Sequence, residues 1–230
     1  MNGIAYLNKG AGRVLTADET RERSRAAFNL RRQADYIAPE CHAAIYLRAR
    51  GVGWLAAKRF RDVIRWMPHA LHPSGLSLPA LFLAVTDTNE AFRAVHRLFL
   101  NRERAEKFGA PLSYGPIAGN AIKLATTGQV TAAGALVIGE GLETTASACT
   151  LLGLPGWCGV AAGNIRKSLV LPAEFRCVTI AVDRDAPGER AAKAAAQRWR
   201  AEGREVWFAM PDRDGNDCND VLKQRIVFSG

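Results

Sequence analysis

The chain has no cysteine pair at metal-binding or redox spacing. Its five cysteines, Cys41, Cys149, Cys158, Cys177 and Cys218, are an odd number of singletons, and no Cys-x-x-Cys occurs. This pattern excludes a zinc ribbon and argues against a disulfide framework, leaving plain thiols in a reducing cytoplasm. No apolar run approaches the ~20 residues that span a bilayer, so no membrane partner is expected. The opening segment, MNGIAYLNKGAGRV, has neither the apolar stretch nor the cleavage site of a secretory signal. Repeats and low-complexity tracts are missing. The glycine-rich GPIAGNAIK lacks the Gly-Lys-Ser/Thr of a Walker A loop, which excludes a helicase-type nucleotide site there.

What the chain has is charge, unevenly placed. Of its 230 residues, 1–134 hold 19 Lys/Arg against 10 Asp/Glu, a net +9, while 135–230 hold 12 of each. A basic excess confined to one part fits a polyanionic partner, nucleic acid before membrane. The alternative is a solvated basic face with no partner.

Patterning divides the chain at the same place. In the first part, 17–35 reads as a polar, Arg-rich helix capped by Thr16 or Asp18, and 39–51 as a short helix burying Ala44, Ile45 and Leu47. PALFLAVTD and AFRAVHRLFL flank the turn-former DTNE and predict an antiparallel hairpin. In its second strand Phe92, Ala94, His96, Leu98 and Leu100 share one face. His96 reads as a packed histidine, and Trp54 and Trp66 as core residues rather than base-stacking platforms. NRERAEKFG reads as a charged loop or helical turn, and YGPIAGNAIKL leads into a short strand. From 135 onward strands alternate with helices: ALVIGE, then LETTASACTLLG ending at Gly153; WCGVAAG; CVTIAVD, then PGERAAKAAAQRWRAEG ending at Gly203; EVWFAM, then CNDVLKQ. Such alternation predicts a parallel-rich sheet flanked by helices, with functional groups at the carboxyl ends of its strands. The expected fold class is α/β, with a basic α+β subdomain at 1–134 and the parallel-sheet domain at 135–230.

Acids stand at those strand ends. ALVIG delivers Glu140, VTIAV delivers Asp183 and Asp185, and VWFAM is followed by PDRDGNDCND with Asp217 and Asp220. Carboxylates gathered at one edge repel, which raises their pKa values or calls for a counter-ion. Mg²⁺ (or Mn²⁺), which takes one or two carboxylates, keeps waters and bridges to phosphate, is the natural one. Pro187 and Gly188 end the strand so that Asp183 and Asp185 reach one side. Gly141 and Gly188 would let backbone come close to a phosphate. Read singly, each acid is also an ordinary strand-end or turn residue.

The ordered set, VIGEG before AVDRDAPG before DGNDCNDVL, resembles the Toprim domain of DnaG-type primases, topoisomerases and OLD-family nucleases. The forms EGLETTASA, AAGN and NDCNDVL resemble most the Toprim primases of phages, plasmids and mobile elements. The resemblance covers about 135–225. It implies catalytic and metal-binding roles for Glu140, Asp183 and Asp185, with Asp217 and Asp220 as further metal ligands. Cellular-type primases often carry an aspartate shortly after the first Glu-Gly; here Glu143-Thr144 stands there, and Glu143 is open as either ligand or helix cap. In the resembling primases a basic subdomain forms the other wall of the groove, which implies phosphate-binding roles for Arg97, Lys107 and Lys123.

The resemblance therefore implies metal-dependent synthesis of short RNA primers from NTPs on a single-stranded DNA template. It also implies a partner, because full primases of this kind often carry a zinc ribbon and a helicase. Here a replicative helicase or a zinc-ribbon protein would be a separate chain. Two alternatives use the same residues: a Toprim nuclease, and a non-catalytic nucleic-acid-binding accessory. A topoisomerase is disfavoured, because none of Tyr6, Tyr36, Tyr46 and Tyr114 has the setting of a nucleophile on a separate domain.

Overall fold

A computed structural model describes residues 15–125, 131 and 133–228. Two helices open it, α1 (Ala17–Arg31) and α2 (His42–Ala49). Thr16 caps α1 through a capping box: its hydroxyl accepts from the Glu19 amide, and the Glu19 carboxylate accepts from the Thr16 amide. Both helices are shorter than the sequence predicts. In α2 the buried side chains are Ala43, Ala44, Tyr46 and Leu47, and Ile45 is exposed, which corrects the predicted face.

Four strands follow: β1 (Ile64–Leu71), β2 (Ser77–Thr86), β3 (Phe92–Phe99) and β4 (Leu112–Tyr114). They form an antiparallel sheet in the order β1-β2-β3-β4. The predicted hairpin is β2–β3; β1 and β4 have no counterpart in the sequence reading. A bulge lies where β3 meets the end of β2: Val85 faces Ala94, but Thr86 faces Phe92, so Arg93 is the extra residue. That extra residue turns Phe92 onto the Val95 and Phe99 side, not the Leu98 side that strict alternation predicts. Both faces of the sheet are covered. Ala80, Phe82, Val95 and Phe99 pack with Ala27 of α1, while Leu81, Leu83, Ala94 and Leu98 pack with Tyr46 and Leu47 of α2.

The second sheet contains β5 (Ile122–Lys123), β6 (Ala135–Gly139), β7 (Gly156–Cys158), β8 (Cys177–Ala181) and β9 (Glu205–Ala209), in the order β5-β7-β6-β8-β9. The last four strands are parallel, and β5 runs antiparallel to β7. Between them come α3 (Leu142–Leu152), α4 (Ala162–Lys167), α5 (Ala186–Ala201) and, last, α6 (Cys218–Phe228). The strand read in WCGVAAG stops at Cys158: Val160 takes a positive φ of 72°, and the chain then turns into α4. Alternate residues of each strand point to opposite layers. Leu136, Ile138, Val178 and Ile180 meet Ile165 of α4 and Ala192, Ala195 and Trp199 of α5. Val137 and Ala181 meet Ala148 of α3 and Cys218 of α6.

One hydrophobic core joins the two sheets. Leu142 and Ala146 of α3 and Leu222 of α6 pack into the same cluster as Leu83, Leu98 and Tyr46. Asn219, itself buried, adds polar ties by donating to the Arg50 carbonyl (2.6 Å) and to the Ser147 hydroxyl (2.9 Å). The basic sheet is thereby packed against the helices that carry the acidic edge. No helix among the described residues is long and apolar enough to cross a membrane.

Candidate active site

The carboxyl ends of β6 and β8 bring Glu140 and Asp183 to a common recess, which Gly188 and Ile165 also line. β6 reaches this edge because Gly139 lets α3 lie against it: a Cβ on Gly139 would stand 2.5 Å from the Thr145 hydroxyl. Thr145 in turn donates to the Gly141 carbonyl at 2.7 Å and closes the first turn of α3. Gly141 is the N-cap of that helix, and a Cβ there would meet nothing closer than 3.7 Å.

Asp183 lies two residues past β8, and the chain turns at once: the Asp185 amide donates to the Asp183 carbonyl at 2.8 Å. Gly188 makes that turn possible, since a Cβ there would stand 2.5 Å from the same carbonyl. The absence of a side chain at 188 thus serves the chain's own backbone. Asp185 is the N-cap of α5 and accepts from the Gly188 amide at 2.7 Å. It is exposed, whereas Asp183 is half-buried.

Asp217 and Asp220 cap α6 reciprocally. Asp217 Oδ1 accepts from the Asn219 (2.7 Å) and Asp220 (3.0 Å) amides, and Asp220 Oδ2 accepts from the Asp217 amide (3.2 Å). The remaining Asp217 oxygen faces Thr144, whose hydroxyl lies 3.1 Å from it and 3.3 Å from Asp183 Oδ1. Asp183 and Asp217, on different loops, therefore meet at one hydroxyl in the first turn of α3. Burial, then the Asp217 and Glu140 charges, push the Asp183 carboxyl up to about 6, against the hydrogen bond from Thr144.

Two of these parts escaped sequence reasoning. Thr144 sits in the segment noted for lacking an aspartate, but a threonine there carries no charge signal. Arg184, between the paired aspartates, donates to Asp214 (2.8 Å) and to the Pro211 carbonyl (2.9 Å), while its amide donates to the Asn216 carbonyl (2.9 Å). It thus staples the 211–217 loop beside Asp183. Asp214 is engaged by this arginine. The only sequence signal was a basic residue between two acids facing an acidic loop.

Glu143, in the first turn of α3, is held by partners from the first part of the chain. It is buried, accepts from the Tyr46 hydroxyl, and pairs with Lys107 Nζ at 3.3 Å. Burial, then the adjacent Glu143 charge, raise the Tyr46 hydroxyl far above its ordinary range. His96 lies near this cluster and is hydrogen-bonded to the Ser113 hydroxyl (2.8 Å). Burial, with help from Lys107 and Arg97 and against Glu143, lowers it to about 4, so it is neutral at physiological pH.

The predicted bases differ in access. Lys107 has a side chain 38% exposed. Arg97, at 2%, lies over the Phe99 ring. Lys123, at 6%, donates to the Asp87 carbonyl (2.6 Å) and lies over the Trp157 ring; burial lowers its pKa. Trp54 and Trp66 pack against the first core. A cavity of about 690 Å³ opens at the far end of α3, lined by Trp54, Phe60, Leu124, Cys149 and Leu154, and contains none of the acids.

Among the described residues no three His, Cys, Asp or Glu side chains already form a metal cage. The donor set still fits a hard divalent cation. All its atoms are oxygens, burial and then the neighbouring negative charges raise the Asp183 carboxyl, and Mg²⁺ binds through one or two carboxylates while retaining water.

Comparison with known proteins bears on the family and the fold. Residues 135–226 match the Toprim domain, and residues 21–124 match a domain of unknown function (DUF7146). No curated protein matches the chain. Among solved structures, the DNA primase domain from Pseudomonas aeruginosa is similar at 13% identity and TM-score 0.58, with 90% of this chain and 76% of that one covered. The DnaG catalytic core is similar at 15% identity and TM-score 0.56, with 90% and 77% covered. The zinc-binding and RNA polymerase domains of the Aquifex aeolicus primase give 14% and 0.56, with 94% and 62% covered. The chain therefore carries a Toprim domain and has the fold of DnaG-type primase catalytic cores.

Proposed function

We propose that this Toprim-domain chain with a primase-core fold is a primase catalytic core, making short RNA primers from NTPs on single-stranded DNA for a phage, plasmid or mobile element, in the cytoplasm. The observation that carries this reading is the meeting of Glu140, Asp183 and Asp217 at one edge. Burial, then the Asp217 and Glu140 charges, raise Asp183 to about 6, and the basic sheet is packed against the same helices. Units of 1–134 and 135–230 divide the work: the first supplies positive charge and the second the acids.

Glu140, Asp183 and Asp217 would hold Mg²⁺ or Mn²⁺, with Asp185 at the margin because it is exposed, and Asp220 because its oxygens are taken by the Asp217 amide (3.2 Å) and by Lys223 (3.8 Å). A bound divalent ion supplies Lewis acidity that lowers the pKa of a primer 3′-hydroxyl and neutralises a triphosphate. Glu140, at the end of its strand, would accept the hydroxyl proton at its carboxylate. Lys107 is the base best placed to bind a phosphate. Arg97 and Lys123 add positive potential from inside, and Gly141 leaves backbone open to a phosphate oxygen. Most acceleration would then come from positioning and electrostatics. A replicative helicase or a template-reading zinc ribbon would act as its partner.

The test is primer synthesis from NTPs on single-stranded DNA with Mg²⁺ or Mn²⁺. The wild type is expected to make primers and Asp183→Asn to lose them. Full synthesis by the variant would overturn the site assignment. Cleavage of labelled strands without nucleotides would assign the same acids to a nuclease, and DNA binding without metal uptake would leave an accessory protein.

A further inference from the structure

Thr144 lies within EGLETTASA but has no role assigned there, yet among the described residues its hydroxyl is the one that touches two of the acids. It is 3% exposed, and its oxygen lies 3.1 Å from Asp217 Oδ2 and 3.3 Å from Asp183 Oδ1. We propose that Thr144 is a positioning residue: its hydroxyl fixes the spacing and orientation of the Asp183 and Asp217 carboxylates so that both present oxygens to one divalent cation. The inference rests on the metal-binding reading above and extends it to a neutral side chain.

The residues flanking Thr144 in the chain are anchored, which is what a positioning role requires. On one side Glu143 is held by the Tyr46 hydroxyl and by Lys107. On the other, Thr145 bonds the Gly141 carbonyl and packs against Gly139. Two more residues on the helix, Ser147 receives a hydrogen bond from Asn219 of α6. The first turn of α3 therefore has little freedom, and a β-branched side chain on it has few rotamers.

The two carboxylates have the opposite problem. They stand on separate loops and repel each other. Backbone amides hold Asp217 through Oδ1 only, so Oδ2 takes its direction from Thr144. For Asp183, Thr144 supplies the hydrogen bond that opposes the repulsion. A single hydroxyl proton serves one acceptor at a time, so the hydroxyl sits between the two acids and holds them to a common point. An acid at 144 would add charge to a crowded edge, whereas a hydroxyl orients without adding any.

The experiment is Mn²⁺ binding to the full chain by calorimetry, without nucleotide or DNA, for wild type, Thr144→Val and Thr144→Ser. Valine keeps the branched shape and removes the hydroxyl; serine keeps the hydroxyl. Loss of an outer hydrogen-bonding partner of a metal site typically costs about 10-fold or more in affinity. We expect that loss for Thr144→Val and wild-type affinity for Thr144→Ser. If the valine variant fails to fold, Thr144→Ala replaces it, since alanine and serine differ by the hydroxyl alone. Equal affinity for the variant without the hydroxyl and wild type overturns the positioning role and leaves the metal site standing. Absence of Mn²⁺ uptake by the wild type overturns both. Equal loss in the valine and serine variants assigns Thr144 to packing and also overturns the inference.

Discussion

Replacing Asp183 by asparagine should stabilise the metal-free protein while abolishing its activity. The Asp183 carboxyl is raised from 3.8 to about 6, first by burial and then by the charges of Asp217 and Glu140. Below pH 3.8 it is protonated in both the folded and unfolded chains and contributes nothing to their difference. Between 3.8 and about 6 the folded chain keeps a proton that the unfolded chain has released. Stability therefore falls as pH rises through that window, and the whole penalty is present above it. At ~1.4 kcal/mol per pH unit, the span gives an upper bound of about 3 kcal/mol. Asp183 is only half-buried, so screening by water brings the expected value to roughly 2 kcal/mol. Asparagine retains an oxygen for the Thr144 hydroxyl and carries no charge. For a domain of this size, ~2 kcal/mol corresponds to a rise in Tm of about 4–8 °C. The assay is thermal unfolding in a chelator at pH 7 and again near pH 4, where wild type and variant should converge. Adding Mn²⁺ should then raise the Tm of the wild type and leave the variant unmoved. A variant less stable than wild type at pH 7 in chelator would refute the account of repelling acids.

Three further outcomes follow from the same geometry. Gly188→Ala places a Cβ 2.5 Å from the Asp183 carbonyl, so it should cost about 1–3 kcal/mol and weaken Mn²⁺ binding; Gly163→Ala, where a Cβ meets nothing within 4 Å, is the control. Tyr46→Phe removes a donor from buried Glu143 and should cost about 1–3 kcal/mol in chemical denaturation; an unchanged midpoint would show that the hydroxyl contributes nothing. Arg184→Ala cuts the staple to Asp214 and to the Pro211 carbonyl. It should cost about 1 kcal/mol and speed amide exchange across 212–217, and unaltered exchange there would argue against the staple.

Much of the second sheet was legible because its strands alternate with helices and end in acids. The order Glu140, Asp183, Asp217 along the chain resembles Toprim, and the match over 135–226 agrees. The first sheet was less legible. β1 lies among mixed residues, IRWMPHAL, without clean alternation, and the extra residue at Arg93 broke the period on which the Phe92 assignment relied. The WCGVAAG strand was overextended because small residues fit strand and helix alike until Val160 takes its left-handed turn.

Local pattern was enough for the alternating strands and helices of the second sheet, for the helix stops at Gly153 and Gly203, for Thr16 as one of two candidate caps, and for the acids at strand ends. Each of these depends on neighbours a few residues away. The roles of individual charges depended on contacts far along the chain. Only the folded chain sends Glu143 to Tyr46 and Lys107, gives Asp214 to Arg184, and sets the Thr144 hydroxyl between Asp183 and Asp217, 39 and 73 residues away. A carboxylate binds whichever donor packing places beside it, and that placement follows from how the sheets and helices stack, which no short window of sequence contains.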